Sequence, residues 1–306
     1  MINKIKEQFP VLFKRNLRLF LSFRGAEIFR LIVLLAGPVV TAYSVCWVMN
    51  GHFSNQISIN ICALLIMVMS AIYIGTFNSL LTVCNEKQIL KYEFISGVSP
   101  TAYVLSVATV HLGVCAIQAL LFTTVYINRL KLPEIPFLMG KSLTWMTSFF
   151  LILYASDMFG LFLSCIAPNG ETANFLSPIC LIAQMLFSGT LWSMDNLLSR
   201  CMIARWGMAS IGSLIDLGTI DAGLTNMLSA EEQEMLEAGL MASGHTLEEA
   251  NSIISDRMIK SSGLDISIYQ RDGQYVLMTW LYLSIIIIVL LLLNILIVRF
   301  VKNRKR

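Results

Sequence analysis

Long apolar runs separated by short charged islands organise this chain. Between Leu31 and Asn85 there is no Asp, Glu, Lys or Arg, and none occurs between Phe94 and Asn128. Against the roughly 20 apolar residues needed to cross a bilayer, the pattern predicts six spans, at about 30–49, 58–83, 101–127, 137–165, 172–191 and 275–299. Pro38 predicts a kink in the first. The last is the cleanest: Tyr275 to Val298 contain no Asp, Glu, Lys, Arg or His, and Arg299 ends the run. Ahead of the spans, Phe9, Leu12, Phe13, Leu17 and Phe20 recur at helical spacing while Lys14, Arg15 and Arg18 face away. Residues 1–29 therefore read as an interfacial helix with its basic face on anionic headgroups. A water-soluble leader helix packed on a partner has the same pattern.

Composition sets the class. Of 306 residues, 56% are hydrophobic and only 13% charged, with a mean hydropathy of +0.71. Soluble domains carry about twice that charge, so the fold class is an all-α polytopic membrane protein. Seven scattered cysteines without a Cys-x-x-Cys pair argue against a disulfide framework or a zinc site, and His52, His111 and His245 lie far apart. No metal and no nucleic-acid partner is expected. Both termini are expected on the cytoplasmic side of a plasma membrane, because 14 of the 22 Lys and Arg then fall inside. The Arg129–Lys141 loop runs mildly against that rule.

The segment 193–274 is the one sizeable non-membrane part, expected outside. Ser229-Ala-Glu-Glu and Thr246-Leu-Glu-Glu each open a helix with a capping residue and early acids, and Gly239 and Gly244 break the chain between them. Cys201 to Leu224 is apolar enough for a re-entrant turn. Acidic helices there fit a solvated face, or a cap that binds a partner or releases a substrate. Residues 275–306 complete the chain with the last span and a basic tail.

The island from Cys84 to Tyr103 carries the most information. Glu86, Lys87, Lys91 and Glu93 crowd into eight residues between two uncharged runs. Glu86 and Glu93 are seven apart and share a helix face, and Gly97 follows one turn later. A helix at 84–100 of this kind can take a push from a soluble partner and pass it into the bilayer. An ordinary hydrated loop between two spans has the same composition.

Glu86-x6-Glu93-x-x-Ser-Gly97 followed by Ala102-Tyr103 resembles the first intracellular coupling region of type 2 ABC exporter permeases of the G subfamily. Ala167-Pro-Asn-Gly-Glu-Thr-Ala-Asn174-Phe-Leu-Ser-Pro178 resembles that family's link between fourth and fifth spans, and Phe187-Ser188-Gly189 its turn after the fifth. The resemblance covers essentially the whole chain. It implies six spans, an N-terminal interfacial helix, a helical outer loop before the last span, and a permease dimer driven by ATP-binding subunits.

What the resemblance implies for individual residues follows motif by motif. Glu86, Glu93, Gly97 and Tyr103 fall in the coupling region, and Ile74, Asn78, Ile182 and Met185 near a substrate cavity at the dimer axis. Thr190 and Leu191 fall at an apolar plug, where Thr190 departs from the family's leucine. The arginine that often supports the coupling glutamate from the third span is replaced by Ala116-Ile117-Gln118, which leaves Gln118 as its stand-in. Ordinary helix or lipid packing would account equally for the cavity positions.

No Gly-x-x-x-x-Gly-Lys-Ser/Thr phosphate loop is present. With the chain opening on Met and the interfacial helix, the expectation is a permease subunit without its own catalytic residues. ATP and Mg would belong to a separate ATP-binding partner, and a second permease subunit would complete the dimer. The expected function is outward movement of a hydrophobic or amphipathic substrate; a channel or secondary carrier not driven by ATP is the alternative. Asp157 is the one acid deep in a predicted span, a costly placement; pairing with His111, a hydrogen bond to Ser156 or Ser164, and a place near a water-filled cavity are the alternatives. An intramembrane enzyme would need a second acid or a Ser–His arrangement, and neither is visible.

Overall fold

The computed structural model describes residues 2–20, 26–49, 57–130, 140–189, 197–215 and 273–303. Among these residues the chain is entirely helical. The helices are α1 (Ile2–Phe20), α2 (Ala26–Val48), α3 (Ile57–Ser79), α4 (Thr82–Ile95), α5 (Pro100–Arg129), α6 (Lys141–Ile166), α7 (Gly170–Leu186), α8 (Leu197–Arg200), α9 (Ile203–Ile215) and α10 (Gly273–Asn303). Among the described residues, four segments are long and apolar enough to cross a membrane: Ile59–Ile95, Pro100–Arg129, Lys141–Ile166 and Gly273–Phe300. The expected first and fifth spans correspond to α2, whose apolar stretch is Leu34–Val48, and to α7, which has 17 residues. Helix α7 stops short of the expected 191 because the chain turns at Phe187 to Gly189, with Gly189 at φ 85°.

The helix of the expected span 58–83 runs from Ile57 to Ser79 and is followed by a break at Leu80–Leu81. The expected helix 84–100 is α4, which starts at Thr82 and ends at Ile95, with a turn over 96–99 before α5. Helix α6 is the most enclosed of the apolar helices and α10 the least. α6 packs on α3, α5 and α10.

The α3–α6 seam is built from small residues. Ala71, Gly75 and Ser79 recur every fourth position on α3, and Ser156, Gly160 and Ser164 do so on α6. A Cβ at Gly75 would lie 2.5 Å from the Leu153 carbonyl oxygen, and one at Gly160 would run into that of Thr76. Backbones this close gain dispersion contact that lipid tails cannot supply, which drives helix association where no hydrophobic effect operates. Between α5 and α6 the space is wider and is filled by aromatics, with Phe122 and Tyr126 stacked on Phe149 at 5.2 and 5.4 Å.

Helix α2 runs through Pro38. Proline has no N–H, so the Leu34 carbonyl one turn back loses its partner. The Gln118 side chain donates to that carbonyl at 3.1 Å and exchanges hydrogen bonds of 2.8 and 3.1 Å with Asn78. One buried amide thereby ties α2, α3 and α5 together.

The apolar stretch after Cys201 forms α9, almost wholly buried against α3, α6 and α10. Gly207 faces Val68 and Ile152, Ser210 meets Ser148 at 3.1 Å, and the buried Gln184 accepts from the Ala204 N–H in the first turn. Protein rather than lipid therefore covers the expected re-entrant segment as far as Ile215. The two acidic outer helices predicted from Ser229 and Thr246 lie outside the described residues.

Candidate functional site around α4

Helix α4 is short, 14 residues, and its first turn is capped from outside. Leu81 at its N-cap supplies no side-chain hydrogen bond. Ser164 of α6 does so instead: its hydroxyl accepts from the N–H groups of Val83 and Cys84 at 3.0 and 3.1 Å. These are two of the four donors that a helix start leaves unpaired. One turn on, the Lys87 ammonium donates to the Ala167 carbonyl just past the end of α6. There the cation meets the negative end of that helix dipole. Asn169 then caps α7, accepting from the Thr172 N–H at 2.9 Å.

The two acids of the island point to one guanidinium. Arg15 of α1 donates through Nη1 to both Glu93 oxygens, at 2.5 and 2.6 Å, and through Nη2 to Glu86 at 2.8 Å. Tyr103 of α5 donates its hydroxyl to the same Glu86 oxygen at 3.1 Å, and Arg15 lies over the Tyr103 ring at 6.0 Å. Burial draws the Arg15 guanidinium down, but the Glu93 hydrogen bond and the charges of Glu86 and Glu93 outweigh it, so its pKa is raised. The cation is permanent, and two carboxylates around one forked guanidinium form a charge-assisted cluster.

The following turn is held from α1 as well. Gln8 donates to the Gly97 carbonyl at 3.3 Å and accepts from the Ser99 N–H at 2.9 Å. Gly97 has φ 99°, a conformation that costs a residue with a Cβ. Asn16 completes the contact by donating to Ser106 of α5 at 2.8 Å.

Of the predicted coupling residues, Glu86, Glu93 and Tyr103 meet in this cluster, and Gly97 makes the turn beside it. Two expectations are corrected. Arg15 does not face away with Lys14 and Arg18, which are exposed, but turns inward beside the buried Leu12 and Asn16. Gln118 does not support Glu86 or Glu93, because the proline-freed carbonyl and Asn78 occupy its amide. The signal for Arg15 was present in the spacing Gln8, Leu12, Arg15, Asn16 (positions i, i+4, i+7 and i+8), which shares one helix face.

The residues assigned to a cavity by resemblance sit at different depths. Ile182 is exposed and Met185 half-buried on α7, Ile74 is half-buried against Gly37, and Asn78 is buried with Gln118. Thr190 and Leu191 lie outside the described residues. Asp157 and His111 come together, with Asp157 Oδ1 2.9 Å from His111 Nδ1. No cluster of three or more His, Cys, Asp or Glu that could hold a metal occurs among the described residues.

An ABC transporter ATP-binding/permease protein of Mycobacterium tuberculosis is 25% identical over 236 residues, covering 69% of this chain and 25% of that protein. The chain thus spans about a quarter of the length of the curated relative it matches. The profile of the family described as ABC-2 type transporter matches residues 7–210, from α1 through the cluster around α4 and into α9. That match takes in two thirds of the sequence, and the chain belongs to the ABC-2 type transporter family, as a multi-pass membrane permease.

Proposed function

We propose that this chain is the permease subunit of an ATP-driven exporter, working as a dimer with ATP-binding partners that carry ATP and Mg. The observation that carries the reading is the Arg15 cluster beside an uncovered apolar patch. Val11 of α1 and Ile89, Tyr92 and Ile95 of α4 are exposed, Tyr92 at 71% and Ile95 at 75%. Val11, Ile89 and Tyr92 line a groove of about 440 Å³ between the two helices. Large apolar groups at the hydrated end of a helix bundle, rimmed by charges, suit a protein partner. A partner pushing on α4 moves α1, α5 and α6 with it, because Arg15, Tyr103, Ser164 and Lys87 are all attached.

In this reading α2, α3, α5, α6, α7 and α10 are six spans, with both termini and α4 cytoplasmic. The ATPase is a separate polypeptide. Two copies face each other through the apolar surfaces left open on α3 and α7, including Tyr73, Phe77, Phe175 and Ile179. Ile182 and Met185 line the cavity between them; Ile74 and Asn78 stand behind as support, and Thr190 and Leu191 form the plug. A wall of this composition suits a hydrophobic or amphipathic substrate moving outward.

The test is affinity purification of the full chain from its native membranes. An ATP-binding ABC protein should co-purify and hydrolyse ATP, the isolated permease should not, and Tyr92→Asp with Ile95→Asp should release the partner while the permease stays folded. Purification without any ATP-binding protein, or retention by the double variant, would sink the reading.

A further inference from the structure

The pair His111–Asp157 belongs to none of the contacts above and is enclosed by the bundle, at 3% and 0% exposure. Asp157 Oδ1 is 2.9 Å from His111 Nδ1, while its other oxygen, Oδ2, has no hydrogen-bond partner. An ionised carboxylate this enclosed, with one oxygen bare, is costly in a low-dielectric interior. One proton on the pair removes the net charge. The neighbouring Asn78–Gln118 pair ties α3 to α5 with amides alone and meets no such cost.

His111 also reaches outward. With Asn16, Phe20, Thr82, Asn85 and Glu86 it lines a cleft of about 170 Å³ between α1, α4 and α5. Asn85 at its mouth is exposed, and the Thr82 hydroxyl is buried there without a partner. A polar cleft of this size admits water. The imidazole thus stands between water on the α4 side and a carboxylate that water does not reach.

We propose that His111 and Asp157 form a proton-binding site loaded from the α4 side through this cleft. Before loading, His111 donates Nδ1–H to Asp157, and Nε2 holds the free lone pair. A hydronium or buffer acid in the cleft gives its proton to Nε2 and becomes water or conjugate base. The imidazolium keeps its Nδ1–H on Asp157, so the loaded pair is neutral overall. Among the described residues, the other ionisable groups near the pair are Cys115 on α5, Tyr154 on α6 with its hydroxyl on the Ala108 carbonyl, and Glu86 on α4, held by Arg15 of α1. Packed neutral groups are Phe20 of α1 against the ring, Ser79 of α3 on the Asp157 carbonyl, and Asn294 of α10 on that of Met158. Loading from this side rests on the proposed placement of α4 at the hydrated end of the bundle, and not on the transport direction or the partner.

The test uses the full chain with ¹⁵N-labelled histidine in lipid bilayers, in a His52→Gln, His245→Gln background where His111 is the one labelled site. Its ring nitrogens should pass from imidazole to imidazolium as the bathing pH is lowered and return as it is raised. Loss of the opposing charge in Asp157→Asn should lower the proton affinity about tenfold, and Asn85→Trp at the mouth should slow proton exchange at the ring at least about tenfold. A ring that keeps one protonation state throughout, or exchange unaffected by Asn85→Trp, overturns the proposal. Both readings leave the pair itself intact, so a folding defect in Asp157→Asn does not decide the outcome.

Discussion

The α3–α6 seam and the cluster around α4 adjoin at Ser164, yet opposite means hold them together. The seam is backbone against backbone, with Gly75 and Gly160 leaving no room for a side chain. The cluster is long side chains reaching across open space: Arg15 and Glu93 each keep 27% of their side chains exposed. Close packing has one good arrangement and strongly resists change. Half-hydrated ion pairs contribute little net stability and re-form in several geometries. The seam therefore suits a rigid wall and the cluster a joint.

Substitutions that put this contrast at risk run from the seam to the surface. Gly160→Leu forces a side chain into the Thr76 carbonyl and should cost about 3 kcal/mol or more. The expected result is loss of the folded chain in size-exclusion and thermal melts. A well-folded Gly160→Leu would show that the seam is not close-packed. Gln118→Leu comes next: the Leu34 carbonyl and the Asn78 amide lose their partner at similar side-chain volume, for about 1–3 kcal/mol. Its melting temperature should fall measurably, whereas Gln118→Glu should retain the contact with the Asn78 amide but not the one with the carbonyl.

Arg15→Ala should cost only about 1 kcal/mol of stability but lower substrate-stimulated ATP hydrolysis and transport together, several-fold, in the complex with the proposed ATP-binding partner. Arg15→Lys should recover part of this, because one ammonium cannot fork to two carboxylates. Equal melts with unchanged coupled hydrolysis in Arg15→Ala would reduce the cluster to a solvated surface. Glu93→Ala should follow Arg15→Ala in the same assays. The smallest effect is expected for exposed Lys91→Ala, within about 0.5 kcal/mol and near wild-type activity. A Lys91→Ala defect as large as that of Glu93→Ala would mean that net charge on α4, not the Arg15 contact, matters.

Much of the helical outline was legible because each long helix is an apolar run bounded by charges or by a turn signal such as Ser96-Gly97. The boundaries that slipped did so for local reasons. Leu80–Leu81 breaks a run that hydropathy alone reads as continuous, and Phe187–Gly189 turns while the composition stays apolar. The identity of Glu86, Glu93 and Tyr103 as partners was half legible: helical spacing put the acids on one face, but nothing local pointed to an arginine 71 positions before Glu86. The Arg15 face was misread because hydrophobic periodicity groups charged residues together, while a guanidinium on the edge of an apolar stripe can turn either way.

By itself the sequence determined that this chain crosses a membrane as helices. Its apolar runs leave backbone groups no partner but their own helix, and the few charges are too costly to be placed anywhere but at the ends or in a pair. Tertiary structure alone decided which polar groups meet: Arg15 with two acids from a distant helix, Gln118 with a carbonyl freed by Pro38, His111 with Asp157. The reason is one of range. Hydropathy acts residue by residue along the chain, whereas each of these contacts requires two helices in a given rotation and register. That rotation and register come from packing features such as Gly75 against Leu153 and Gly160 against Thr76.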